Sequence, residues 1–174
     1  MEVRSAFSEP SQINISSTRD LPYLLAVIEE GLRIFPPVSM PLPRESPGAI
    51  VDGHFIPKGT VVSTAAWPAT HSAVHFYAPY EFHPERWLPK SHEFYDKRFK
   101  DDAKEASKPF SSGSRACLGI NLAYMEMRIC LAVLVWHFDW ELVSKELDLN
   151  RDAMMRMLWD KPELRVRFRP VNRS

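Results

Sequence analysis

The clearest pattern near the start of the chain is a helical spacing of apolar side chains. In residues 21–35, LPYLLAVIEEGLRIF, apolar positions recur at 24, 25, 28, 32 and 35, as on one face of an α-helix. Asp20 is a suitable N-cap, and Pro22 suits the first turn. Pro36 and Pro37 then end the helix, because the proline ring excludes helical backbone before it. The pattern therefore predicts a helix over residues 21–35.

Shorter patterns downstream predict small β-sheets joined by loops. Residues 49–67, AIVDGHFIPKGTVVSTAAW, alternate β-branched runs with turn residues, which indicates short antiparallel strands. Residues 163–170, ELRVRFRP, alternate apolar residues with arginine, the period of a half-buried strand. Between these segments, residues 90–108 carry eleven charged side chains among nineteen. Such a composition predicts a solvated loop with room for a helical turn.

A second helix is predicted over residues 119–138, GINLAYMEMRICLAVLVWHF. Its uninterrupted apolar run covers only eight residues, 129–136, which is too short to span a bilayer. We therefore predict a buried helix, with Cys130 as a core residue. Together the patterns predict a mainly α fold with small antiparallel β-sheets, in the α+β class.

Composition and charge narrow the possible functions. The chain has 174 residues, of which 45% are apolar, and this is typical of a globular protein with a core. Lys plus Arg (22) equals Asp plus Glu (22), so the chain has no net positive charge to attract nucleic acid. Nucleic acid is therefore not predicted as a partner. Two cysteines at unrelated spacing argue against a disulfide scaffold. The first residues, MEVRSAFSEPSQ, lack the apolar stretch of a signal peptide or anchor, which predicts a soluble chain.

The segment FSSGSRACLG, residues 110–119, places one cysteine among small residues just before the second helix. Backbone N–H groups and the helix dipole there favour thiolate over thiol at Cys117, which suits a metal. Gly113 permits a sharp turn, Gly119 removes a side chain near the same surface, and Arg115 is placed to pair with a carboxylate. These features suggest haem bound through sulfur. The alternative is an ordinary buried cysteine in a glycine loop.

This segment resembles the haem-binding loop of the cytochrome P450 family, Phe-x-x-Gly-x-Arg-x-Cys-x-Gly. Every fixed position is filled, namely by Phe110, Gly113, Arg115, Cys117 and Gly119. Ala123 and Glu126 are similar to the family pattern on the following helix. Two further motifs occur in the family's order: Glu30 and Arg33 resemble its Glu-x-x-Arg helix, and FHPERW, residues 82–87, resembles its Pro-Glu-Arg-aromatic motif and supplies Arg86. A buried network of Glu30, Arg33 and a third charged group from a distant loop is predicted.

The resemblance implies a cofactor and a set of binding residues. The cofactor is haem b, iron protoporphyrin IX, with Cys117 as axial thiolate ligand and catalytic residue. Arg44 falls where the family places a basic residue against a haem propionate, and Arg115 is the second such residue. Residues 38–42 and 154–159 fall where family members line the substrate pocket; the first stretch supplies Val38, Ser39, Met40 and Leu42.

The resemblance also implies partners and a reaction. Family members take electrons from NADPH-cytochrome P450 reductase or a similar donor and insert one oxygen atom from O2 into a lipophilic small molecule. Lys97, Arg98 and Lys100 are candidate docking charges for the donor. The residues around these motifs are similar to those of fungal family members that act in specialised metabolism. For a full-length eukaryotic relative, the endoplasmic reticulum membrane is the expected location.

Family catalytic domains are more than twice as long as this chain. Residues 1–174 correspond to a partial domain, the C-terminal proximal half of the fold, and the distal helix and N-terminal half are absent. A chain with one wall of the haem site leaves apolar surface open to water. We therefore expect residues 1–174 alone to bind haem poorly and to lack monooxygenase activity.

Three other interpretations stay open at this point. The chain is read alternatively as a non-catalytic fragment or pseudogene product, or as one part that pairs with a separate N-terminal half. A P450-type isomerase or dehydratase, which needs no reductase, fits the same motifs. A zinc enzyme using His71 and His75 at i, i+4 lacks the expected glutamate and a third ligand.

Overall fold

The computed structural model describes residues 2–40, 42–156 and 158–172, and these form short helices and two-stranded sheets. The α+β class predicted from the sequence is confirmed. Within the described ranges the α-helices are α1 (Glu2–Ala6), α2 (Pro22–Ile34), α3 (Ala66–Thr70), α4 (Ile120–His137) and α5 (Leu149–Asp152). Single 3-10 turns connect them at Pro10–Gln12, Ser17–Asp20, Pro84–Trp87, Lys97–Phe99, Lys104–Ala106 and Gly113–Arg115.

Helix α2 matches the prediction to within one residue at each end, but its N-cap is different. Asp20 lies in the preceding 3-10 turn, so the prediction that it caps α2 was wrong, and Leu21 occupies the N-cap position without a capping side chain. The carboxylate of Glu2, on α1, instead accepts hydrogen bonds from the N–H groups of Tyr23 (2.9 Å) and Leu24 (2.8 Å). A carboxylate is favourable at this positive end of the helix dipole.

Each strand pairs antiparallel with one partner, as the short apolar runs predicted. The hairpin of β2 (Ala49–Val51) and β3 (His54–Ile56) turns at Asp52 and Gly53, whose φ angles are 48° and 77°. Two positive φ values suit the twist of a tight hairpin. The other pairs are β1 (Arg44–Glu45) with β4 (Val61–Val62), β5 (Phe138–Leu142) with β8 (Val166–Pro170), and β6 (Met154–Met155) with β7 (Trp159–Asp160).

The apolar core lies where α1, α2 and α4 meet. Its buried members are Val3, Phe7, Ile13, Leu21, Leu24, Ile28, Leu32, Ala132 and Trp136. Polar groups hold α1 against the end of α4: Arg4 donates to the carbonyl oxygens of Val135 and Phe138, both at 2.8 Å, and Trp136 Nε1 donates to the Phe7 carbonyl at 3.1 Å. The two Arg4 bonds satisfy carbonyls near the C-terminus of α4, where a cation is also favourable, and the Trp136 bond satisfies a carbonyl just after α1.

Helix α4 is the largest departure from the sequence predictions. Of its eighteen residues only Ala132 and Trp136 are buried, and Cys130 is exposed, so the predictions of a buried helix and a core cysteine were wrong. Most of the other α4 residues are half-buried, and Asn121, Leu122, Glu126 and Cys130 are exposed. By length and composition alone α4 could also cross a bilayer, contrary to the prediction that it is too short. A single such helix is weak evidence for a membrane protein, since core helices pass the same criterion.

Two other segments differ from their predicted burial. Residues 90–108 form a loop with two 3-10 turns, as expected, but Phe99 is buried and the Asp102 side chain is 3% exposed. Strand β8 exists, yet it is more exposed than half-buried, because Phe168 keeps 48% of its surface in contact with solvent. The composition of a segment does not show which of its side chains are buried by residues elsewhere in the chain.

Candidate functional site: a cysteine loop next to a buried ion network

Two residues of the loop that carries Cys117 have backbone conformations with positive φ angles. Ser111 and Gly113 have φ angles of 61° and 69°, in the left-handed region that favours glycine, so Gly113 does make the sharp turn that the sequence suggested. The N–H of Cys117 donates to the Phe110 carbonyl at 2.8 Å and closes the loop. The Cys117 side chain carries a free thiol and is exposed among the described residues, whereas the alternative interpretation placed it in the interior.

The start of α4 lies directly after this thiol. Gly119 is the N-cap of α4, and a Cβ atom placed on it would lie 3.7 Å from Cys117 Sγ. This distance is an ordinary van der Waals contact, and beyond the two adjacent residues no other atom lies within 4 Å of the added Cβ. The absence of a side chain at Gly119 therefore leaves space beside the sulfur. The N-terminal end of a helix dipole three residues after Cys117 favours negative charge at this end of α4. Thiolate character at Cys117 stays a prediction.

Phe110 and Tyr124 connect this loop to α2. Their ring centroids are 5.2 Å apart, and the Tyr124 hydroxyl donates to Glu29 Oε1 at 2.7 Å. Burial raises the pKa of the Glu29 carboxyl, while the hydrogen bond from Tyr124 acts in the opposite direction. Burial, followed by the hydrogen bond to Glu29, raises the pKa of Tyr124, so its hydroxyl remains a neutral donor.

Glu30 and Arg33, one helical turn apart on α2, form a fully buried ion pair. Arg33 Nη2 and Nε each donate to one carboxylate oxygen of Glu30 at 2.8 Å, in the bidentate geometry that suits guanidinium. The remaining Arg33 donors reach the carbonyl oxygens of Thr70 (2.9 Å), Pro79 (2.7 Å) and Glu81 (3.0 Å). Arg33 thereby holds the backbone of a distant loop against α2.

The structure brings Arg86 into the same network, at the place where a third charged group was predicted. Arg86 Nε lies 3.0 Å from Glu30 Oε2, and both side chains are fully buried. Glu30 also accepts hydrogen bonds from Trp87 Nε1 (2.9 Å) and from the N–H of His83 (2.8 Å). Five donor groups thus surround this carboxylate, which satisfies its oxygens in the absence of solvent.

Asp102 is a fourth charged member, and the sequence reasoning missed it. Its Oδ2 accepts a hydrogen bond from Arg86 Nη1, and its Oδ1 accepts one from the N–H of Tyr77 at 2.7 Å. With two arginines and two carboxylates the cluster is electrically balanced. The Arg86 guanidinium also lies 4.6 Å from the ring centroid of Phe99. The predicted network of Glu30, Arg33 and Arg86 has one more arginine than carboxylates, and this excess was the available signal that another carboxylate was needed.

The predicted propionate-binding arginines are both exposed. Arg44 lies on β1, where its Nη1 donates to the Pro43 carbonyl at 2.9 Å, and Arg115 ends the 3-10 turn of the cysteine loop. Their exposure leaves the guanidinium groups accessible to an acidic ligand. Their role as propionate partners stays a prediction.

The predicted substrate-pocket stretches are placed as follows. Val38, Met40 and Leu42 are 38%, 47% and 53% exposed, whereas Ser39 is buried. Pro41 and Met157, within the two predicted stretches, lie outside the described residues.

In the second stretch, Trp159 serves packing. Its ring stacks on Phe35 with centroids 4.5 Å apart, and its Nε1 donates to the Pro36 carbonyl at 2.8 Å. Met154 and Leu158 in this stretch are exposed. A role of either stretch toward substrate stays a prediction.

The histidine pair considered for zinc does not form a metal site. Buried His71 stacks on Trp67 with ring centroids 3.8 Å apart, and its Nδ1 lies 3.1 Å from the Trp67 carbonyl oxygen. Among the described ranges, no group of three or more His, Cys, Asp or Glu side chains is placed to hold a metal ion.

The residues of the cysteine loop fit a haem group. An accessible sulfur donor follows a glycine turn, an exposed arginine lies two residues before it, and the exposed apolar side chains of Leu118 and Leu122 follow it in the chain. Two surface depressions have volumes of about 600 and 550 Å³; the first is lined by Glu85 and residues 93–97, the second by residues 143–147 and Asp152. Neither is lined by a predicted haem residue, so the predicted haem residues lie outside both depressions.

Comparison with known proteins identifies the family. The family model described as Cytochrome P450 matches residues 1–168, so the chain belongs to the cytochrome P450 family. It is similar to the cytochrome P450 monooxygenases btcC of Neocamarosporium betae, with 54% identity over 98% of this chain and 33% of the relative, and poxC of Penicillium oxalicum, with 53% identity over 96% and 35%. The chain thus spans about a third of the length of these relatives.

A solved structure agrees with this assignment. Retinoic acid bound cyanobacterial CYP120A1 superimposes with a TM-score of 0.79 at 26% identity, over 98% of this chain and 37% of that one. The predicted P450 resemblance and the predicted fold are therefore confirmed. The family implies haem, a redox partner and a small-molecule substrate.

Replacing Asp102 with asparagine should weaken the network, because Arg86 loses one of its two buried carboxylate partners. We expect a loss of about 3 kcal/mol in the free energy of unfolding, measured by urea titration. The measurement uses a chimera of btcC in which this chain replaces the third of btcC that aligns with it. We refer to this chimera as the completed protein. Asp101→Asn, at an exposed neighbouring position, is the control and should change stability by less than about 0.5 kcal/mol. Equal effects of both variants would contradict the assignment.

The pKa of Glu30 predicts acid sensitivity. Burial raises this pKa, but the hydrogen bonds from Arg33 and from the His83 N–H lower it by more than burial raises it. The pKa of Glu30 in the folded protein is therefore below the ordinary 4.5. A lowered native pKa means that this stabilisation is complete above pH 4.5 and is lost as pH falls through the native pKa. Urea titrations of the completed protein over this acid range should show a shallower pH slope for Glu30→Gln than for the exposed control Glu93→Gln. Identical slopes would refute the prediction.

Proposed function

We propose that this segment supplies the thiolate half of a haem-dependent monooxygenase that oxidises a lipophilic small molecule. The observation that carries the proposal is the exposed Cys117 thiol on a left-handed glycine loop at the start of α4. Support comes from the family assignment and from relatives named cytochrome P450 monooxygenases. Because the chain spans a third of those relatives, the whole reaction also needs the residues that lie outside the match.

Individual residues have distinct roles in this proposal. Cys117 Sγ binds iron of haem b as an anion, and the Cys117 N–H is held by the Phe110 carbonyl so that the sulfur keeps one position. Arg115 and Arg44 pair with propionates, for which exposed guanidinium groups are suited. Gly113 and Gly119 keep side chains away from the porphyrin. When bound, haem would supply the O2 chemistry, and the Cys117 thiolate would donate electron density to its iron.

The same proposal covers the partners. The exposed apolar side chains of Val38, Met40 and Leu42 support a lipophilic substrate. Electrons come from NADPH-cytochrome P450 reductase or a similar donor. Among the suggested docking charges, Arg98 is paired with Asp96 at 2.7 Å and Lys100 lies 3.8 Å from Asp101, which leaves Lys97 as the better-supported one.

Two wider aspects of the proposal rest on the resemblance. We assign the chain to fungal specialised metabolism, supported by the fungal relatives. We also propose that a full-length eukaryotic relative is located at the endoplasmic reticulum membrane.

Replacing Cys117 with serine in the completed protein should abolish thiolate ligation, because a hydroxyl oxygen does not supply the anionic sulfur donor. We expect the thiolate-type absorption band of the reduced carbon monoxide complex to disappear and turnover to fall at least about a hundredfold. Cys130→Ser removes an equally exposed thiol from α4 and should leave the band unchanged. An unchanged band in the Cys117 variant, or its loss in the Cys130 variant, would overturn the proposed ligand.

Residues 1–174 expressed alone with haem should give little or no stable thiolate complex, because the exposed loop and α4 provide one wall for the porphyrin. The completed protein should give the complex under the same conditions. Absorption spectra of the two reduced carbon monoxide complexes make the comparison. A stable thiolate band with turnover in residues 1–174 alone would show that this segment suffices for activity; failure of both would argue for a non-catalytic fragment.

A further inference from the structure

A continuous set of contacts connects the cysteine loop to α2. It runs from the Cys117 N–H to the Phe110 carbonyl, from the Phe110 ring to the Tyr124 ring, and from the Tyr124 hydroxyl to Glu29. Glu29 precedes Glu30, whose carboxylate binds two buried arginines, in the same helix. The contacts therefore end on a helix whose next residue belongs to the buried ion network.

The Tyr124–Glu29 hydrogen bond is a short, charge-assisted contact between separate elements. The two residues are 95 positions apart, on α4 and α2, and their oxygen atoms are 2.7 Å apart at a half-buried position. A bond from a neutral hydroxyl to a carboxylate is stronger than a neutral pair, and partial burial strengthens it further. Arg128, one turn further along α4, is the other charged group that acts on the Tyr124 phenol. Breaking the bond leaves the Glu29 carboxylate desolvated and unpaired, which is costly.

We propose that Tyr124 and Glu29 are positioning residues for the haem ligand: their hydrogen bond fixes the Tyr124 ring, which supports Phe110 and thereby the carbonyl that holds the Cys117 N–H. This rests on the proposed function, in which Cys117 binds haem iron. The ring contact resists tilting of Phe110, and the hydroxyl bond prevents the Tyr124 ring from turning away. The sulfur then keeps a constant position relative to α2 while the exposed residues of the loop remain free to contact a ligand.

The test compares variants that remove the bond with variants that retain it. Tyr124→Phe keeps the ring against Phe110 and deletes the hydroxyl, and Glu29→Ala deletes the acceptor. Glu29→Gln retains an acceptor oxygen and is the conservative rescue. Tyr77→Phe is the matched control for the hydroxyl, because Tyr77 is 55% exposed. All are made in the completed, haem-loaded protein.

Amide hydrogen exchange is the primary measurement, because it reports on the Cys117 N–H bond directly. A peptide over residues 111–118 is compared with one over residues 129–136, which contains buried Ala132. In Tyr124→Phe and Glu29→Ala we expect exchange of the first peptide to become about tenfold faster relative to the second, as loss of a charged hydrogen bond implies. Glu29→Gln should change this ratio less than about threefold, and Tyr77→Phe should not change it.

The reduced carbon monoxide complex gives a second, spectroscopic readout. Conversion of the thiolate band into the thiol band should be at least about threefold faster in Tyr124→Phe and Glu29→Ala, because a looser loop lets the sulfur leave its position. A double variant, Tyr124→Phe with Glu29→Ala, should be no worse than either single variant if the two act through one bond.

Specific outcomes would overturn the proposal. An unchanged exchange ratio, or equal acceleration of both peptides, would show a general structural role or none. If Tyr124→Phe fails to fold, Glu29→Ala and Glu29→Gln decide the same question, and equal ratios in these two would refute it. Failure of the proposed function is separate: there the unsubstituted completed protein shows no thiolate band, whatever its exchange ratio.

Discussion

The bidentate contact between Arg33 and Glu30 is the interaction on which the rest of the described structure depends. Both side chains are fully buried, so each charge needs a partner at close range, and the sequence provides the partners from distant segments. Arg33 uses its remaining donors on the backbone of residues 70–81, while Glu30 receives donors from residues 83–87. Segments without regular secondary structure thereby acquire fixed positions. A helix with neutral residues at these positions would lack this means of organising loops.

Asp102 extends the same constraint to the charged segment before the cysteine loop. It pairs with Arg86 and accepts the Tyr77 N–H, and buried Phe99 lies against the same arginine, so residues 90–108 are tied to the network although many of their side chains are exposed. A loop rich in charge is therefore held in place by one carboxylate and one aromatic ring. The cysteine loop begins only a few residues later, between this anchored segment and α4.

Helix α4 is only partly covered by the described residues. One side packs on α1 and α2 through Ala132 and Trp136, while Leu118, Leu122 and Cys130 near or on the helix are exposed. Neighbouring exposed apolar side chains are typical of a surface that another group covers. The match to a third of each relative's length agrees with this interpretation, because the relatives have further residues to cover it. In the proposed function, haem shares this surface.

Local patterns were sufficient to predict α2, from its apolar spacing and the prolines after it, and short antiparallel strands in residues 49–67, from turn residues between β-branched runs. The order of small residues around Cys117 predicted a ligand loop, whose role stays a prediction. These features were predictable because each arises from residues within one or two turns of one another. The N-cap by Glu2, the inclusion of Asp102, the contact of Tyr124 with Glu29 and the exposure of Cys130 became visible only in the folded chain. Each of these depends on segments far apart in the chain, and their distances are set only when the helices pack.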